Sequence, residues 1–148
     1  MSIYQTDFVR WSETQRDHLI EGRFDLLDLE HLIEEVGDLG KRSHDALKSQ
    51  LKRLLIHLLK LAYSKGPREP EAQWWLSIGN ARDEMQELLE DNPSLRQVVP
   101  DYLPVAYQRA SRQARRELEA HRDQYERFPE ACPWTLEQIQ DALFFPGE

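Results

Sequence analysis

From Lys41 to Tyr63 the chain carries Leu47, Leu51, Leu54, Leu55, Leu58, Leu59 and Ala62 at offsets of three and four, the period of one face of an α-helix. The apolar arc of this segment is wide, reaching from Leu61 through Leu59. A helix there needs two covering neighbours rather than one, which makes it the expected centre of the fold. Little in the chain competes for a sheet: strand-forming residues occur together at most in pairs, such as Val98 and Val99. The expectation is a compact antiparallel helical bundle of about five or six helices, forming a single all-α domain over residues 1–148.

The other segments share this period and are separated by glycine and proline. Thr6 or Asp7 can cap a first helix carrying Phe8, Trp11 and Leu19 and ending near Gly22, where a left-handed turn suits glycine. From about Asp28, a second helix places Leu29, Leu32, Ile33 and Val36 on one stripe, expected to be buried, until Gly37 and Gly40 loosen it. Gly66, Pro67 and Pro70 read as a loop, followed by a helix bearing Trp74, Trp75, Ile78, Ala81, Met85, Leu88 and Leu89. Asn92 and Pro93 stop it and can open a short turn. Pro100 and Pro104 delay a long helix expected from about Leu103 to Tyr125, and Thr135 with Gln138 marks a short last helix bearing Leu136, Ile139 and Leu143.

Composition excludes several functions. With 27 acidic and 19 basic residues the net charge is −8, which disfavours an overall grip on nucleic acid or anionic lipid. The longest uncharged run, Ala72 to Ala81, is about half a membrane span. Charges interrupt the first twenty positions, so no signal-peptide core is present and a cytoplasmic location is expected. The lone Cys132 agrees with a reducing compartment. No phosphate loop or dinucleotide fingerprint occurs, and no cofactor is implied.

Five blocks in order, YQTDFVRW at the start, GRFDLLDLEHLIEEVGDLG from Gly22, LLIHLLKL from Leu54, NPSLR from Asn92 and FPEACPWTLEQI from Phe128, together resemble the bacterial family known as domain of unknown function twenty-nine. The resemblance covers nearly the whole chain and implies a compact all-helical domain. It brings no established active site. Where members of that family have Trp this chain has Leu61.

Two histidines are candidate metal ligands. At about 100° per residue, His44 falls among Leu47, Leu51 and Ala62, and His121 between Ala114, Leu118 and Tyr125, so both are expected to point inward. His57 falls at the margin of its helix. The acids Asp28, Glu30, Glu34, Glu35 and Asp38, with His31, fall opposite the apolar stripe and are expected to be wet. Asp28 three positions before His31 suits a metal motif, but His44 and His57 lack the second copy of that spacing. Cys132 has no companion that would mark it as a nucleophile.

Charge is segregated along the chain, with a balance of −7 over residues 1–40 and +6 over residues 41–70. One reading is attraction between neighbouring helices. Another is a partner-binding face made of Lys52, Arg53, Lys60, Arg109, Arg112 and Arg116, with Lys48 alongside. Ile56, Trp11 and Trp134 could add exposed apolar surface. The favoured function is a non-catalytic protein-interaction or regulatory module, with a protein partner or a second copy as ligand. A metal-assisted hydrolase built on His44 and His121, and a weak nucleic-acid binder using the basic face, are the alternatives.

Overall fold

Asp7 ends one helical turn and begins the next helix. In the computed structural model, which describes residues 1–65 and 71–147, α1 is the single turn Ile3–Thr6 and α2 is Phe8–Ile20. The Asp7 carboxylate accepts from the Arg10 amide at 3.0 Å, supplying a partner for a donor that the helix itself cannot pair. At the other end, Gly22 adopts φ 70° and the Arg23 amide donates to His18 O at 2.8 Å, closing α2 as expected. A 3-10 turn, Phe24–Leu26, leads to Asp28, whose carboxylate and carbonyl receive the amides of His31 and Leu32.

From there α3 runs without interruption from Leu29 to Tyr63. The sequence leaves open whether the helices on either side of Gly37 and Gly40 are joined; in the structure they are one. Glycine raises the cost of helix but does not forbid it, and favourable residues on both sides carry the ladder through. The chain divides into two compact units, residues 1–42 and 43–148, each described separately below.

The second unit is a helical bundle. It comprises α3 from Ser43 onward, α4 (Glu71–Asp91), α5 (Val99–Ala120) and α6 (Leu136–Gln140), which with α1 and α2 of the first unit are the six α-helices among the described residues. Gln50 Nε2 donates to Glu84 at 2.5 Å, and Lys60 lies over the Trp74 ring, so α4 runs antiparallel to α3. His44 meets Tyr102 and Lys60 meets Glu117, so α5 returns parallel to α3. The order is up, down, up.

Leu47, Leu51, Leu54, Leu55, Leu58 and Leu59 are buried, as the period requires. Ile56, Lys60 and Leu61 are buried too, so α3 is covered on nearly every side here. Ile56 therefore offers no outer surface. Trp74, Ile78 and Met85 of α4 and Tyr107, Ala110, Ala114 and Leu118 of α5 complete the core, the alanines leaving room for close approach. Tyr107 donates its buried hydroxyl to Pro129 O at 2.6 Å, tying the irregular segment after α5 to the bundle. Two short antiparallel strands, Ser64–Lys65 and Gln124–Tyr125, pair where α3 and α5 end.

Other boundaries differ from expectation. Pro100 lies in the first turn of α5, where its missing amide hydrogen costs nothing, so the helix begins at Val99 rather than near Leu103. It ends at Ala120, leaving Tyr125 in a strand. Thr135 and Gln138 cap α6 reciprocally, but Leu143 lies beyond that helix and is exposed. Asn92 precedes the 3-10 turn Pro93–Gln97, as expected. The expected loop at Gly66, Pro67 and Pro70 lies outside the described residues.

Candidate interaction surfaces

In the first unit the polar side of the helices faces inward. Trp11 is 2% exposed and donates its indole N–H to Asp28 at 2.9 Å. The same carboxylate receives His31 Nδ1–H at 2.7 Å, and the Asp28 amide donates to the side chain of buried Gln15 at 2.7 Å. Tyr4 donates to Glu35 at 2.6 Å, and this bond, with burial and the Glu35 charge, pushes the phenol up to about 12. These contacts bind α1, α2 and the start of α3 through the four polar side chains of Gln15, Asp28, His31 and Glu35 and the two aromatic rings of Tyr4 and Trp11.

Helix α3 therefore turns its apolar stripe outward. Leu29, Ile33, Val36 and Leu39, at offsets of four, three and three, are each at least 60% exposed. On α2, Phe8 and Leu19 lie three turns apart on one face, as do Val9 and Ile20, and all four are exposed. Phe24 and Leu26 of the intervening turn are exposed as well. Of fifteen exposed large apolar residues among those described, twelve lie between Met1 and Leu39. This overturns the expected orientation of the segment: of the expected stripe Leu29, Ile33 and Val36 are bare and Leu32 is half-buried, while Asp28, His31 and Glu35 are half-buried too. Glu30, Glu34 and Asp38 are exposed as expected. The spacing of Asp28 and His31 was the available signal for the inner network; Tyr4 and Trp11 supply what the spacing alone could not.

The candidate metal ligands His44 and His121 are not brought together. His44 Nδ1 hydrogen-bonds the Tyr102 hydroxyl at 2.6 Å, beside the start of α5. His121 caps the far end of α5, nineteen residues or about 28 Å of helix beyond Tyr102. Because the helix stops at Ala120, His121 leaves the inward stripe and is exposed. It lines a cleft of about 300 Å³ together with His57, Lys60, Ser77, Glu117 and Asp123. Burial, and then the charge of Lys60, lower His57 to about 4, so it is neutral at physiological pH. No group of three His, Cys, Asp or Glu at metal-binding spacing occurs among the described residues.

Nor do the six candidate basic residues form one face. Lys52 and Arg109 line a groove of about 260 Å³ with Lys48, whose ammonium sits 4.7 Å from the Tyr102 ring centre. Arg112 lines a different cleft with Arg115 and Arg127. Arg116 is exposed and Arg53 half-buried. Lys60 is buried, ion-paired to Glu117 and placed over Trp74, so it is withdrawn from any partner surface. Burial works to raise the Glu117 carboxyl, but hydrogen bonds from Lys60 and Gln113 prevail and hold it below the ordinary range. Cys132 is half-buried and donates to Trp134 O at 3.5 Å, and burial pushes its thiol up, away from the reactive thiolate. Trp11 is buried and Trp134 half-buried, so neither adds the exposed surface considered above.

No helix among the described residues is long and apolar enough to cross a membrane. No curated protein and no solved structure matches the chain. One family model matches residues 3–145, taking in both the bare hairpin and the bundle, and on that match the chain belongs to the family described as domain of unknown function DUF29.

Proposed function

We propose that this protein is a non-catalytic interaction module whose N-terminal helices dock a helix of another protein. One observation carries the reading: among the described residues, twelve of the fifteen exposed large apolar side chains lie within Met1–Leu39. Single exposed apolar residues are ordinary, but their concentration on two helices and the turn between them is the pattern of an interaction surface. The partner's chemistry follows from charge. Residues 1–40 carry a balance of −7, with Glu30, Glu34 and Asp38 beside the apolar stripe, which favours an amphipathic helix flanked by lysines or arginines. A second copy of the same hairpin would oppose like charges. The single family model spanning both units supports treating residues 3–145 as one functional domain, and the lone free cysteine suits a cytoplasmic setting. The hydrolase alternative loses its basis, since His44 of α3 bonds to Tyr102 beside the start of α5 and His121 follows its far end.

The test is titration with a synthetic helical peptide bearing leucines on one face and lysines at the flanks, and with its counterpart carrying glutamates at the flanks. The lysine peptide is expected to bind, more weakly as salt rises. Ile33→Asp combined with Val36→Asp should weaken it by roughly tenfold or more without changing helix content, because both positions are exposed. Equal binding by the double variant, or a stable homodimer in sedimentation that the same variant dissociates, would refute the reading.

A further inference from the structure

Arg82 is 6% exposed, yet none of the ion pairs among the described residues includes it. Its Nε donates to Ile139 O at 2.8 Å and its Nη2 to Phe144 O at 2.7 Å, pinning the segment after α6. Those carbonyls supply partial charges only; the Phe145 ring centre lies 5.1 Å from the guanidinium carbon, and the Asp141 carboxylate acts on it through space without forming an ion pair. Among the described residues Nη1 is buried without any hydrogen-bond partner, an unusual state for a guanidinium, whose charge is costly to bury unless it is paired. Arg82 also lines a cavity of about 230 Å³, and a second guanidinium, that of Arg96 at the end of the NPSLR block, lines it too. Gln86 and Gln140 add amides, Leu54 and Met85 add apolar wall, and among the described residues no carboxylate lines the space.

We propose that this cavity binds a small carboxylic acid, the carboxylate answering Arg82 and Arg96 and the apolar body resting on Leu54 and Met85. A planar monoanion matches the guanidinium fork, whereas a phosphate would leave more charge unsolvated beside apolar walls. At about 30 Å³ for each water-sized volume, the cavity holds a ligand of about eight heavy atoms. Benzoate and hexanoate are of that size. Affinity for such small ligands is on the order of millimolar or somewhat tighter.

Only two methionines occur, the fully exposed Met1 and the buried Met85 in the cavity wall, so methyl-labelled methionine gives one reporter and one internal control. Benzoate is expected to shift the Met85 methyl saturably and leave Met1 in place, while benzamide, of the same shape without the charge, shifts neither methyl. Arg96→Gln should weaken benzoate by roughly tenfold. Arg82→Lys is the second variant, chosen because complete removal of this side chain would free the pinned segment. Comparing N-acetylalanine, of the same heavy-atom count as benzoate, with hexanoate separates a chain end from a free acid as the natural source of the carboxylate. No saturable Met85 shift, equal shifts with benzoate and benzamide, or an unchanged affinity in both variants would overturn the proposal.

Discussion

The phenol ring of Tyr4 lies almost flat on the imidazole of His31, with ring centres 3.9 Å apart and planes inclined by 17°. A one-turn helix at the start of the chain is thereby held against the start of α3 through an imidazole whose other contact is the Asp28 carboxylate. The bare face described above depends on this arrangement, because it gives α3 a reason to turn its polar side inward.

The hydrogen bond from His31 to Asp28 raises the imidazole above its ordinary value, although burial works the other way, and lowers the carboxyl. The His31 contribution is complete below about pH 6.5 and is lost as pH rises through its raised folded value. The Asp28 contribution is complete above about pH 4 and is lost as pH falls through its lowered one. The N-terminal helices should therefore be firmest between about pH 4 and 6.5. In a proton NMR titration the His31 ring should show a midpoint above 6.5, and Asp28→Asn should bring it down. Identical midpoints in both proteins would mean that the pair does not form.

His57 works in the opposite sense. Its folded value of about 4 lies below the ordinary imidazole, so the unfolded chain takes up the proton first and stability falls as pH drops from about 6.5 toward 4. Allowing for solvent screening, the loss attributable to this residue is about 2 kcal/mol. Denaturant unfolding at pH 7 and pH 4.5 should show the decline, and His57→Leu should flatten it. An equal decline in the variant would assign the effect to other groups.

Glycine should respond oppositely at two kinds of position. Gly37 and Gly40 lie inside α3, and a Cβ at either would meet nothing within 4 Å, so each change to Ala should add about 1 kcal/mol. Gly22 closes α2 with φ 70°, and Gly22→Ala should cost about 1 kcal/mol. Thermal unfolding of the three variants checks both signs. Destabilisation by Gly37→Ala would reveal a close approach of another chain at that position.

Much of the helical framework was legible from short-range chemistry. Asp7, Pro93 and the Thr135 and Gln138 pair mark boundaries because unpaired amides, a fixed φ or a missing donor act within a few residues. Two sites were less accessible. His121 was assigned to an inward stripe that ends one residue before it, so an error of one turn in the helix boundary moved it from core to surface. Arg82 occupies the same stripe as Ile78 and Met85, and that placement of a cation was the available sign of its burial.

By itself the sequence determined that residues 43–63 form a helix buried on most sides, because leucines around so much of its circumference must leave water whichever neighbours cover them. Which side of residues 29–39 faces inward was decided only by tertiary structure. A period locates an apolar stripe but does not name what packs against it. Here Tyr4, Trp11 and Gln15 offer aromatic rings and hydrogen bonds, which Asp28, His31 and Glu35 satisfy and Leu29, Ile33 and Val36 cannot. The same long-range choice leaves an apolar surface for a partner.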